Sequence, residues 1–383
     1  MSANAEASRA ELYIVAESTH GTTPASPAFR RVRHKATTIA GVPDTIVTDE
    51  LANHAQVTDT VRGIHNAGGD VEFELSKSNF DSLILAAIRG DSYAAITSYV
   101  ADSLSFAAAD NSINDSELAF PTMRPGDTIT ISGSASNNGT AVVVSITAGK
   151  LIVSGKTLVN EAAGATVTLA NGTKRAKVGS TFASFSLLRR FRDVTLFQTV
   201  NGAVVNTMSL QISPALVTGA FGLLCREAGA FGGSAPSGTT YAEPTSAAVP
   251  AVGVNGALLL EGSSAPISEL SFTVENGVTP RPVVGSEFTT QPAFGRFNVT
   301  GQVVAYFEDA TLVNYFLAGT EVELCATVEF SDGQFMRFTL PRIVFTGGQP
   351  DVSGQGPVTL TMPFQASYDI TEQSSLTIEK SYA

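Results

Sequence analysis

Residues 71–75 alternate apolar and polar, with Val71, Phe73 and Leu75 set against Glu72 and Glu74. That is the period of two expected of a strand with one face in a core. Ser78 or Asn79 then stands where a helix cap belongs and Asp81 falls in the first turn. Leu83, Ile84, Ala87 and Ile88 recur at helical spacing, and Gly90 closes the run. The same order returns late in the chain. Val299, Gln302 and Val304 lie in a strand-like run, Asp309 sits near a helix start, Leu312, Val313, Phe316 and Leu317 form the stripe, and Gly319 ends it. A strand, a short link, a helix and a glycine written twice predict a duplicated domain.

The flanks extend the match. RRVRHKATTI precedes the first copy and SELSFTVENG the second; FSLLRRFRDVTLFQTVNGAVVNTMSLQI follows the first and ATVEFSDGQFMRFTLPRIVF the second. The predicted fold is mainly β (α+β), with two tandem β-sandwich domains that each carry one short helix. Between the first helix and its next strands, residues 103–179 read as five or so short strands broken by Gly and Asn turns, an inserted small barrel or sandwich. Asn138-Gly139, Asn171-Gly172 and Asn201-Gly202 are hairpin signals. The expected domains are an N-terminal arm over 1–28, a first domain over 29–102 and 180–228, the insert over 103–179, a Gly/Ser/Ala/Pro-rich linker over 229–256, and a second domain over 257–383 with a C-terminal tail. Within the arm, Leu12, Ile14 and, less regularly, Val15 suit a strand added to a neighbouring subunit's sheet edge.

Charge narrows the function. The chain of 383 residues has a formal net charge of −12 and no long basic run, which argues against gripping nucleic acid through phosphate contacts. No signal-peptide core and no run near the length of a membrane span is present, so a cytosolic product with no membrane partner is expected. Cys225 and Cys325 are the two cysteines and read as small apolar residues in strands rather than as a disulfide.

No reacting centre emerges. GKLIVSGKT at 149–157 has five residues between its glycines where a phosphate loop needs four. DNSINDSE at 110–117 lacks the alternation and central glycine of a calcium loop. His20, His34, His54 and His65 lie scattered in the first 65 residues, and Trp is absent. No catalytic, cofactor-binding or metal-ligating residue is nominated, no cofactor is expected, and the chain is read as a non-enzyme.

Five segments, taken in order, carry a resemblance: ELYIVAESTHGTTPASPAF, ADNSINDSELAFPTMRPGDTITISGSASNNGTAVVV, NGALLLEGSSAPISELSFTVENGV, GQVVAYFEDATLVNYFLAGTE and FTLPRIVFTGGQPDVSGQGPVTLTMPFQASYD. Together they resemble the siphophage tail tube (major tail) protein family. The resemblance implies a structural virion subunit, assembled in the host cytoplasm, whose domains join strands into a barrel around a channel and stack as rings. It implies tape measure protein and DNA in the lumen, and tail terminator and baseplate proteins at the ends. Single-domain relatives are about half this length, so three chains making a pseudo-hexameric ring are favoured, with six chains as the other geometry. Glu72 and Glu74 are candidate lumen-facing acids, with the outer surface as the alternative position. A loop near 41–66 is expected to take part in stacking, and Leu12, Ile14 and Val15 mark the stacking arm. A baseplate hub or distal tail protein, or a receptor- or carbohydrate-binding β protein, is the alternative function.

Overall fold

The computed structural model describes residues 4–50, 53, 56–117, 120, 123–244, 257–264, 267–350 and 357–382. In chain order the first elements are β1 (Ala10–Ala16), β2 (Ala28–Val32), β3 (Ala36–Thr37), β4 (Ala40–Val47), β5 (Thr60–Glu74) and the helix α1 (Asp81–Ala87). Next come β6 (Ala94–Ala95), β7 (Tyr99–Ala101), β8 (Leu104–Ala107), β9 (Ser112–Asp115), β10 (Thr128–Ser132), β11 (Gly139–Thr147), β12 (Lys150–Ser154) and β13 (Val167–Asn171). They lead to β14 (Lys174–Lys177), β15 (Phe185–Phe191), β16 (Leu196–Ile212), β17 (Thr218–Cys225), β18 (Glu227–Ala228) and β19 (Thr240–Ala242). The remainder holds β20 (Ala257–Leu260), β21 (Ser263–Ser264), β22 (Ile267–Glu275), β23 (Thr279–Arg281), β24 (Thr290–Ala293), β25 (Asn298–Tyr306) and the helix α2 (Thr311–Ala318). It closes with β26 (Val322–Glu329), β27 (Phe335–Phe345), β28 (Thr359–Ala366) and β29 (Thr377–Lys380). The fold is mainly β, as the alternating pattern predicts.

Contacts divide the chain into a larger unit (Met1–Asp91, Lys177–Gly333, Thr339–Leu376) and a smaller one (Ser92–Ala176, Gln334–Phe338, Thr377–Ala383). In the larger unit the strand order repeats. In the first half β1 pairs with β15, β15 with β16, β16 with β17, β17 with β5, and β5 with β3 and β4, all antiparallel. In the second half β20 pairs with β26, β27 with β28, β28 with β25, and β25 with β22, again antiparallel. There β26 lies beside β27, with Thr339 Oγ1 3.6 Å from Cys325 Sγ. The halves meet where the C-terminal part of β16 pairs with β22, Thr207 opposite Glu275 through Ile212 opposite Leu270.

The long β16 belongs to two sheets. Its first residues pair with β15, its later ones with β17 and β22, and the register shifts in between. Asn201-Gly202 sits inside this strand, so here the hairpin signal marks an irregularity. Gly202 has φ 66°, and its N–H donates to Glu17 Oε1 at 2.8 Å. A Cβ there would lie 2.7 Å from Arg226 Cβ and 2.8 Å from His20. Both the backbone angle and the space demand glycine.

The two helices end differently. In α2 the C-cap Gly319 takes the left-handed conformation, φ 62°, as its position predicts. In α1 Arg89 takes it at φ 53°, and a Cβ on Gly90 would lie 2.8 Å from the Leu85 Cδ1 methyl and 3.2 Å from the Lys177 carbonyl oxygen. Asn79 does not cap α1: its Oδ1 accepts the Arg33 N–H at 2.9 Å and its Nδ2 donates to the Arg31 carbonyl at 3.2 Å. At α2, Asp309 Oδ1 accepts the Thr311 N–H at 2.8 Å, which holds its carboxyl below the ordinary value. Around α1, Phe73, Phe80 and Phe221 gather with centroids 4.5–6.2 Å apart.

The smaller unit contains seven strands in one open sheet, in the order β7, β13, β10, β11, β12, β9, β8. One apolar cluster fills it, including Leu104, Phe106, Ile129, Leu151 and Leu169. Residues 334–338 and 377–383 also lie in this unit, so part of the tail expected for a second domain packs here. Arg337, 1% exposed, donates from Nη1 to Asp127 Oδ1 at 2.8 Å and to Glu379 Oε2 at 2.9 Å, while Arg175 Nε reaches Glu379 Oε1 at 2.5 Å. Burial pushes the Asp127 carboxyl above its ordinary value. Burial works the same way on Glu379, but Arg337, Arg175 and Arg124 hold it below its ordinary value. Arg337→Met leaves both carboxylates buried without their shared cation and is expected to cost about 3–5 kcal/mol. Urea unfolding at neutral pH measures this, and a loss under about 1 kcal/mol contradicts it.

Candidate assembly surfaces

The larger unit offers faces, edges and projections as surfaces for contact. Six strands of the larger unit, β5, β17, β16, β22, β25 and β28, run side by side. One face is apolar and buried: Val71, Phe73, Phe221, Met208, Leu210, Phe272, Val303, Met362 and Phe364. The other can be followed in rows across the strands. Glu72 faces Ala220, then Ser209, Thr273, Thr300 and Gln365; Glu74 faces Thr218, then Gln211, Ser271, Gln302 and Pro363. A third row runs from Asp70 through Gly222, Thr207 and Glu275 to Asn298. These rows hold small and polar side chains and carboxylates, and no Lys or Arg; Lys35 lies at their border. Glu72 and Glu74 thus share a face that continues through both halves.

Each half also projects a hairpin from the equivalent place. In the first, β4 pairs with the early part of β5, and Val42, Ile46, Val47 and Val61 are 51–63% exposed. In the second, β23 pairs with β24, and the connecting Val284 is fully exposed. The two touch: His65 N–H donates to the Glu287 carbonyl at 2.9 Å and the His65 ring lies 5.0 Å from Phe288. Exposed β-branched residues are thus concentrated on the two projections. The expected loop near 41–66 is largely strand; its residues 51, 52, 54 and 55 lie outside the described residues.

The N-terminal stretch is arranged otherwise than the arm expectation. β1 is flanked by β15 on one side and β2 on the other. Leu12 and Ile14 are buried at 1% and 4%, and Val15 is half-buried against Tyr13, Phe29 and Leu188. Both faces of β1 are covered, which the alternation on one face does not reveal. Glu11, buried beside Tyr13, faces Arg192 at 3.3 Å, Arg190 at 3.6 Å and Arg31 at 3.9 Å. Tyr13 donates its hydroxyl to Glu11 at 3.0 Å, and burial, then that carboxylate, raises its pKa. Of the linker expected over 229–256, β19 pairs in parallel with β2, and residues 245–256 lie outside the described residues.

The helices differ in cover. The carbonyl of Ala87, which is fully buried in α1, accepts Asn276 Nδ2 at 2.9 Å from the second half. Beyond the helix, Arg89 lies over Phe294 and Phe297 and donates to the Gly295 carbonyl at 3.3 Å. In α2 Leu312 is buried, whereas Leu317 of the expected stripe is 66% exposed. This difference could not be seen from the stripe alone, because the two repeats carry similar apolar spacing.

Among the described residues, no group of three or more His, Cys, Asp or Glu could hold a metal ion, and no helix is long and apolar enough to cross a membrane. Cys225 and Cys325 are free and buried, and burial pushes the Cys225 thiol up to about 12. A family model described as phage tail tube protein matches residues 7–366. No curated protein matches the chain.

Deleting residues 1–16 removes β1 and with it Leu12, Tyr13 and Ile14, each worth about 1.5–3 kcal/mol of burial against a total stability of about 5–15 kcal/mol. The shortened chain is expected to be unfolded in circular-dichroism melts. Removing residues 1–8 is expected to leave the melting temperature within a few degrees. A cooperatively folded chain starting at residue 17 would contradict the structural role of β1 and restore it as an arm.

Proposed function

Because the chain belongs to the phage tail tube protein family, and so to the proteins of the virion, we propose that it polymerises as stacked rings around a channel through which DNA passes. The observation that carries this reading is the acidic and polar face, with no Lys or Arg in its rows and Lys35 at its border, that runs from β5 in the first half to β28 in the second. With β3 and the end of β27 added, each half contributes four strands. Three chains then supply a closed sheet of about 24 strands, above the 16–18 that already leave an aqueous channel. At about 4.8 Å between strands the sheet measures roughly 115 Å across its strands, and the tilt that closure requires makes the circumference larger.

In this assignment the lumen is lined by Asp70, Glu72, Glu74, Glu269 and Glu275 among Ser, Thr and Gln. Carboxylates repel the phosphate backbone and small polar side chains offer it no fixed cation, so DNA slides rather than binds. Tape measure protein occupies the same channel before DNA, and terminator and baseplate proteins close the ends. The apolar hairpins, β4 with β5 and β23 with β24, carry the ring-to-ring contact, the role expected of the segment near 41–66 and, with it, of an N-terminal arm. The smaller unit is a decoration on this framework. The long, non-contractile tail type follows from the resemblance of the five sequence segments.

Electron microscopy of the purified chain at high concentration tests the reading. Hollow tubes or rings are expected, and particles that remain single chains at every concentration contradict it. Val42→Ser with Ile46→Ser and Val47→Ser is expected to give rings that do not stack; tubes of normal length would remove the hairpin from the contact. Glu72→Lys with Glu74→Lys places cations in the channel and is expected to make assembled tubes retain DNA at low salt and release it as salt rises. Tubes indifferent to DNA after that change would put Glu72 and Glu74 on the outer surface.

A further inference from the structure

The chain contains one junction between equivalent halves, and a ring of such chains needs a second kind, between one chain and the next. The internal junction supplies its pattern once the halves are aligned on their helices, Asp81 at the start of α1 on Thr311 at the start of α2 and the left-handed Arg89 on the left-handed Gly319, and the repeated pairing carries that alignment from strand to strand. Phe73 faces Gly219 as Val303 faces Met362, and Val71 faces Phe221 as Gly301 faces Phe364. Phe221 faces Met208 as Phe364 faces Phe345, so Met208 corresponds to Phe345. On the other flank, Val71 faces Thr37 as Gly301 faces Phe272, and Gly68 faces Ala40 as Asn298 faces Glu275. Thr37 therefore corresponds to Phe272, Ile39 to Val274 and Ala40 to Glu275.

Inside the chain the junction sets Met208 opposite Val274, Ser209 opposite Thr273 and Leu210 opposite Phe272. Substituting the counterparts gives the second junction. We infer that residues 344–348 at the end of β27 add antiparallel to residues 36–40 at the β3 edge of a second copy of this chain, with Phe345 opposite Ile39, Thr346 opposite Thr38 and Gly347 opposite Thr37. The inference rests on the ring reading above and specifies which edges close it.

Both edges are open in the single chain. Thr346 donates its N–H to the Pro363 carbonyl of β28 at 2.8 Å, and β26 on the other side of β27, with Cys325 beside Thr339, begins at Val322, so on an antiparallel register it ends before 344–348. β3 pairs with β5 alone, and the Ile39 carbonyl is met by Arg189 Nη1 at 2.8 Å, a side-chain cover of the sort that protects a sheet edge. A carbonyl accepts two hydrogen bonds, so an added strand need not displace that arginine. A separate observation agrees. Ala87, buried at the internal junction where second-half residues cap α1, is the seventh residue of its helix; the seventh residue of α2 is the exposed Leu317. The repeat makes α2 the helix that still lacks the neighbour α1 has.

Directly opposed antiparallel residues bring their Cβ atoms close enough for a disulfide, whereas residues displaced along the strand do not. The test is the full chain carrying Thr38→Cys with Thr346→Cys, both at exposed positions, with Ala40→Cys and Val344→Cys as a second pair. The native thiols are buried. After assembly and mild oxidation, non-reducing gels are expected to show a ladder ending at three chains that collapses on reduction, with no ladder from either single variant. Tubes that form while both pairs stay reduced overturn the junction and leave the ring standing. So does a ladder from Thr45→Cys with Thr346→Cys, which would place the contact on β4. Failure of the unsubstituted chain to assemble at all overturns the junction together with the ring.

Discussion

The pairing of β16 with β22 is the interaction on which the larger unit depends. A duplicated chain could fold as two separate sandwiches, each with an unpaired edge inviting aggregation. Here six consecutive register positions, Thr207 to Ile212 against Leu270 to Glu275, make the two halves one sheet. Met208 and Leu210 pass apolar burial from one half to the other on one face, while Ser209 and Gln211 continue the polar rows on the other. Asn276, just past β22, donates to the carbonyls of Ala87 and Val205 and so pins the first-half helix to the junction. Losing that pairing would cost the continuous face as well as the junction.

Much of this order is legible in the chain. The period-two alternation at 71–75, the helical stripes after each copy and the left-handed Gly319 are local signals, and local signals survive folding. What is not legible depends on contacts distant in sequence. Glu72 and Glu74 are recognisable as one face of a strand, but that their rows end at Gln365 and Pro363 follows only from the register of six strands. Leu12 and Ile14 read as an edge strand because sequence cannot show that β2 and β15 cover both sides of β1. Asn201-Gly202 has hairpin chemistry, yet the same left-handed glycine serves a kink inside β16, where Glu17 and Arg226 fix the backbone. The C-terminal Glu379 gave no hint of its place beside Arg337 and Asp127, since a buried ion cluster has no sequence period.

Charge is distributed in keeping with this division. The cations Arg31, Arg190 and Arg192 converge on the buried Glu11, and Arg337 and Arg175 on Glu379, so these five cations are matched by buried carboxylates away from the polar rows. The polar face keeps its carboxylates without such partners in its rows. A face with carboxylates and no cation in its rows presents an acidic surface, the property the proposed channel requires toward a polyanion.

The central claim is that the halves are equivalent wall elements, so that three chains do the work of six domains. Native mass spectrometry of a single ring tests it most directly. The account predicts a closed species of three 39.8 kDa chains, with threefold symmetry and six near-equivalent lobes in end-on images. A ring of six chains would contradict it, since one half would then lie outside the wall and the continuity from β5 to β28 could not line a single channel.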